Sequence, residues 1–177
     1  MRLSASSDAT ELAPTITETA GNPSPAPTAV QPASTFSLSD LDSSQGSSNL
    51  AGAQVRISTN FQSGSSHQDL LTISGATSGT SNGISYSYDS TTGVMTLTGV
   101  TSFANYNTML SLVRYHVTGD NPTNYGAAGT RTLSYSTFDG LLHSDEFHAS
   151  VTVVGVNDAP VNTAGSAAAC RRPSRSR

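Results

Sequence analysis

The chain has 177 residues, of which 11% are charged and 35% hydrophobic, against roughly 25% and roughly 45–50% in an ordinary soluble domain. It holds 30 Ser and 23 Thr but no Lys and no Trp, so uncharged hydroxyl groups stand where a salt-laced surface usually does. That composition excludes a nucleic-acid binder working by counterion release, which needs a basic face, and a long charged helix or coiled coil. No apolar run approaches the roughly 20 residues that cross a bilayer.

The net charge of −4 divides unevenly. Arg171, Arg172, Arg175 and Arg177 are half of the basic residues, so residues 1–165 carry four Arg against 12 Asp and Glu, a net of −8. Cys170 is the only cysteine, which excludes a disulfide framework and a multi-cysteine zinc site. Met1 to Ser7 lacks the apolar stretch of a secretory signal.

Residues 1–32 contain Pro14, Pro23, Pro25, Pro27 and Pro32 among small polar residues and read as an extended linker. From residue 33 the dominant pattern is period two, the mark of strands with one buried face. The runs 34–38, 53–57, 71–73, 84–88 and 95–97 alternate in this way, and 113–117, 133–135 and 147–153 continue the pattern. Asp89 to Gly93 reads as a hairpin loop ending in a residue suited to positive φ. Ser102 is a plausible N-cap for a short helix that places Phe103, Tyr106, Leu110 and Val113 at helical spacings. Asn121-Pro122 and Gly126 to Gly129 mark a longer loop, and Asp139-Gly140 a tight turn. Short strands with turn signals and almost no helix predict an all-β, antiparallel Greek-key sandwich over residues 33–158, with one helical crossover. Residues 159–177 read as a linker remnant and a basic tail.

Two acidic clusters lie at opposite ends of the strand set: Ser39-Asp40-Leu41-Asp42-Ser43-Ser44 and Val156-Asn157-Asp158-Ala159-Pro160. With Phe138-Asp139-Gly140, with Asn49-Leu50-Ala51-Gly52-Ala53 and with Gly93-Val94-Met95-Thr96-Leu97-Thr98-Gly99, the stretch 11–162 resembles the cadherin-like tandem repeats of large bacterial surface and secreted adhesins, the VCBS and RTX-type repeat proteins. The resemblance implies a non-catalytic structural or adhesive module, outside the cell or on its surface, stiffened by Ca²⁺ at the junctions and partnered by neighbouring repeats of the same parent chain, with a cell-surface protein or glycan as its external target. The implied ligands are Glu11, Asp40, Asp42, Asp139, Asn157 and Asp158. Their chemistry agrees, because Ca²⁺ takes six to eight oxygens from carboxylates, carbonyls and amides, and Asp40 and Asp42 form a D-x-D pair that one ion can bridge. The sequence departs from the cadherin pattern at Gly155 and at Glu11-Leu12, where further acidic or amide ligands stand in the family.

Other motifs point elsewhere. Gly79-Thr80-Ser81-Asn82-Gly83 satisfies G-x-S-x-G, but a nucleophile elbow needs a strand leading into a helix, whereas a strand pattern follows here. His143 and His148 flank Asp145-Glu146, yet their odd separation puts them on opposite faces of an extended segment, which disfavours a shared zinc ion. Tyr86, Tyr88, Tyr115 and Tyr135 read as core or cross-strand packing. If they were instead exposed on one sheet face, the alternative would be a carbohydrate-binding sandwich.

Overall fold

A computed structural model describes residues 2–4, 15–17, 29–33, 36–39, 49–64, 67–119 and 121–156. The chain is an all-β sandwich, with one helix among the described residues. Its strands are β1 (Arg2–Ser4), β2 (Thr15–Thr17), β3 (Ser37–Ser39), β4 (Asn49–Thr59), β5 (Ser63–Gly64), β6 (His67–Ile73), β7 (Ser78–Ser81), β8 (Ile84–Asp89), β9 (Val94–Ser102), β10 (Val113–Thr118), β11 (Thr130–Phe138) and β12 (Phe147–Val154). Helix α1 (Phe103–Ser111) joins β9 to β10.

The larger sheet has the order β2-β12-β11-β4-β9-β8-β7 and the smaller one β10-β6-β5, with β1 and β3 forming a separate ribbon. Among the described residues every pairing is antiparallel except β2 with β12, where Thr15, Ile16 and Thr17 run parallel to Thr152, Val153 and Val154. Seven of the eight alternating runs lie within strands, and of the run 34–38 the described part overlaps β3 at Ser37 and Leu38. Odd-numbered members turn inward on β4, β9, β11 and β12, so Val55, Ile57, Met95, Leu97, Leu133, Tyr135 and Val151 of the larger sheet are buried in one core with Leu71, Ile73, Val113 and Tyr115 of the smaller sheet that faces it. Each such side chain contributes about 1.5–3 kcal/mol by leaving water.

The helix forms where its cap was expected. Ser102 is extended and its Oγ accepts the N–H of Asn105 at 3.3 Å, one of the donors a helix start leaves unpaired. Tyr106, Met109 and Leu110 bury one face over the sandwich end, and the Tyr106 hydroxyl donates to Gly99 O at 2.7 Å. Gly99 has φ +142 and its Cα lies so near the β7–β8 turn that a Cβ would stand 2.3 Å from Gly83 O. Only glycine fits there.

Strands β5 and β7 have no counterpart in the alternation. Ser78–Ser81 is polar and wholly exposed, an edge strand whose side chains carry no pattern, joined to β8 by Asn82-Gly83, both at positive φ as a two-residue hairpin requires. The Pro-rich segment read as linker also touches the sandwich: besides β2, Val30 exchanges two backbone hydrogen bonds with Tyr115, at 2.9 and 2.8 Å.

Candidate functional site

Asp139 is the one implied Ca²⁺ ligand that the structure describes; Glu11, Asp40, Asp42, Asn157 and Asp158 lie outside the described residues. Asp139 closes the turn after β11. Its Oδ1 accepts the N–H groups of Leu141 and Leu142, both at 2.7 Å, while its own N–H donates to Leu142 O at 3.2 Å. The N–H groups of Leu142 and Leu141 hold its carboxyl below the ordinary 3.8. The stability this turn gains is therefore present above that ordinary value and is lost as pH falls through the lowered one. Among the described residues no group of three or more His, Cys, Asp or Glu is placed to hold a metal ion. Of the implied ligands the described part therefore holds one carboxylate, Asp139, with one of its oxygens already engaged by the turn.

Sequence reasoning missed the strongest polar constellation in the molecule. Asp69 of β6 and Arg131 of β11 point into the core, and both are fully buried. Arg131 Nε donates to Asp69 Oδ2 at 2.7 Å, the Tyr115 hydroxyl donates to Asp69 Oδ1 at 2.6 Å, and the Gln62 N–H donates to Oδ2 at 2.9 Å. The other guanidinium nitrogens donate to Ala128 O and, at 2.8 Å, to Pro122 O. Tyr88 adds a bond to the backbone oxygen of Asp69 at 2.7 Å. One ion pair therefore ties the two sheets together and fastens the 121–128 loop beneath them. Burial, followed by the Asp69 charge, pushes the Tyr88 and Tyr115 hydroxyls well above their ordinary 10, so both stay proton donors. A signal was present in the sequence: Asp69 precedes Leu71 and Ile73, and Arg131 precedes Leu133 and Tyr135, each at the spacing that selects the inward face.

A second polar chain crosses the outer face of the larger sheet. Arg56 Nη2 contacts Glu146 Oε1 at 2.9 Å, and Glu146 Oε2 lies 4.0 Å from His148 Nε2. His148 Nδ1 meets Ser134 Oγ at 2.8 Å, Ser134 Oγ donates to Ser58 Oγ at 2.9 Å, and Ser58 Oγ donates to Thr132 O at 3.1 Å. A carbonyl can only accept, so the hydroxyl protons all point along the chain, and His148 must supply Nδ1–H to complete it. Ser134 is thereby committed as a donor to Ser58 and is only 3% exposed, which is not the state of an activated nucleophile.

The remaining motif residues fall as follows. Ser81 ends an exposed edge strand and is followed by the hairpin turn into β8, not by a helix. His143 stacks on Phe138 with ring centroids 4.6 Å apart. Tyr115 and Tyr135 are buried, Tyr86 nearly so, and Tyr88 is half-buried against Asp69. Among the described residues no helix is long and apolar enough to cross a membrane. Comparison with family models, with curated proteins and with solved structures finds no match.

Proposed function

We propose that this chain is a non-catalytic repeat module of a bacterial surface or secreted adhesin-like protein, a spacer whose junctions are stiffened by Ca²⁺. The observation that carries the reading is the parallel pairing of β2 with β12. Parallel neighbours enter and leave at opposite ends, so tension applied between residues N-terminal to Thr15 and residues C-terminal to Val154 loads those backbone hydrogen bonds together, in shear. Antiparallel terminal strands would open one bond at a time. The buried Asp69–Arg131 pair supports the same reading, because it joins the two sheets that shear would slide apart. In the sequence Asp40 and Asp42 follow β3, Asp139 follows β11 and Asn157-Asp158 follow β12, and at each junction Ca²⁺ would turn repulsion between neighbouring carboxylates into a crosslink.

Single-molecule pulling of the full chain through its termini tests this, in chelator and in millimolar Ca²⁺, beside an Asp40→Asn/Asp42→Asn variant. The expected result is one cooperative unfolding event at a force well above that of unzipping a hairpin. Ca²⁺ should raise that force through preferential binding to the folded state, and the variant should lose the rise. Gradual extension at low force would end the spacer reading. A high force indifferent to Ca²⁺ would remove the metal alone.

A further inference from the structure

The outer face of the larger sheet is unevenly satisfied. Along one row Arg56, Ser134 and His148 lie opposite one another on β4, β11 and β12 and are consumed by the chain described above. Toward the sheet's other edge, Thr80 and Ser85 bond each other at 3.2 Å, and Thr101 accepts from Asn105 at 2.7 Å. Between them lie Gln54, Thr96, Thr98 and Ser136, whose side chains make no hydrogen bond among the described residues. All four line one cleft of about 270 Å³.

The cleft exists because of Gly52. Its register partners are Thr98 on β9 and Phe138 on β11, so a row that would otherwise be filled by a third side chain is left open. A Cβ at Gly52 would lie 3.3 Å from Leu97 O and 3.9 Å from Phe138 Cβ. Phe138, braced by its stack on His143, lines one side; the four neutral polar side chains line the rest. Ala51, Gly52 and Ala53 also line it.

This combination selects a ligand class. Apart from His143 no ionisable side chain lines the cleft, so a charged ligand would lose hydration without gaining a partner. A purely apolar ligand would strip water from four polar groups and leave them unpaired. A neutral sugar ring satisfies both halves, with C–H groups for an aromatic side chain and hydroxyls for amide and hydroxyl partners. The volume lies just below the usual range of ligand sites, roughly 300–1,000 Å³, which fits no more than a single ring. We infer that the cleft over Gly52, between Phe138 and Thr98, binds one neutral pyranose unit of a glycan. This does not depend on the spacer reading, since a strut can carry such a site on its flank.

The test is amide chemical-shift mapping of the full chain with methyl β-glucopyranoside, methyl β-galactopyranoside and N-acetylglucosamine, with glucuronate and indole as charged and apolar controls. At least one neutral sugar should shift Gly52, Thr98 and Ser136 in a saturable way. Phe138→Ala should weaken that binding by about tenfold, the upper range for losing an aromatic contact. Thr98→Val, which keeps the β-branched shape and so guards against a folding artefact, should weaken it too, while Ser150→Ala on the same face outside the cleft should not. The inference is overturned if no neutral sugar shifts these amides, if indole or glucuronate alone does so, or if binding persists unchanged in both cleft variants.

Discussion

Among the described residues there are two Arg–carboxylate pairs of nearly equal length in opposite surroundings. Arg131–Asp69 measures 2.7 Å with both side chains fully buried, and Arg56–Glu146 measures 2.9 Å with side chains 49% and 41% exposed. The distances alone would rank them as equals. Burial does not, because the inner pair has lost its water and must be satisfied by protein, whereas the outer pair shares its charges with solvent and salt. The inner pair is accordingly surrounded by five further partners, from Tyr115, Gln62, Tyr88, Pro122 and Ala128. The outer one makes one ion contact between its partners and leads into a chain of hydroxyls. What the inner pair supplies is a fixed relation between two sheets and a loop; the outer pair decorates one sheet.

Breaking the inner pair on one side should have the largest effect of any change considered. Asp69→Ala would leave a guanidinium buried without its counter-charge, and the expected loss is about 3–5 kcal/mol, read as a fall in the urea midpoint. The double variant Asp69→Leu/Arg131→Met sharpens the comparison. Apolar replacement of a whole buried pair is often neutral or better, but here it would also orphan Pro122 O, Ala128 O and the Gln62 N–H. We expect it to recover only part of the loss, and full recovery would show that the loop does not need Arg131 as its anchor. Tyr115→Phe comes next. It removes only the 2.6 Å bond to Asp69 Oδ1, and a hydrogen bond to a charged group is worth about 1.5–3 kcal/mol; a smaller shift would mean that water replaces the hydroxyl.

The same contrast explains what could be read from the sequence. The apolar alternation located every strand that buries a face, because the hydrophobic effect acts on each inward residue and leaves a period-two trace. Strand β7 left none, since Ser78–Ser81 has no buried face and is held by backbone bonds that any residue could make. Strand β2 left none either: its partner is some 137 positions away by the Thr15–Thr152 register, and Thr-Ile-Thr is too short a run to stand out in a Pro-rich stretch. Asp69 and Arg131 were hidden differently. Their inward parity was visible, but a charged residue at an inward position ordinarily reads as the end of a strand, and only the other sheet shows that each has a partner. Asp139 was legible as a turn residue, and its two N–H partners bear that out. The cleft was the least legible feature. It depends on Gly52 lying opposite Thr98 and Phe138, a register that local sequence does not state.

The outer pair offers the last and smallest test. Arg56→Gln removes the charge while keeping most of the side-chain stem, so the result isolates the ion contact from the packing of the methylenes over the sheet. Exposed pairs are typically worth about 0–1 kcal/mol, and this one should fall in that range at low salt and shrink toward nothing at high salt. Asp69→Ala, measured in parallel, should keep its full penalty at both ionic strengths, because ions do not reach a fully buried carboxylate. If Arg56→Gln instead cost as much as a buried contact and resisted salt, the chain through Glu146, His148, Ser134 and Ser58 would be acting as one cooperative network, and the outer face would have to be regarded as a second structural tie across β4, β11 and β12.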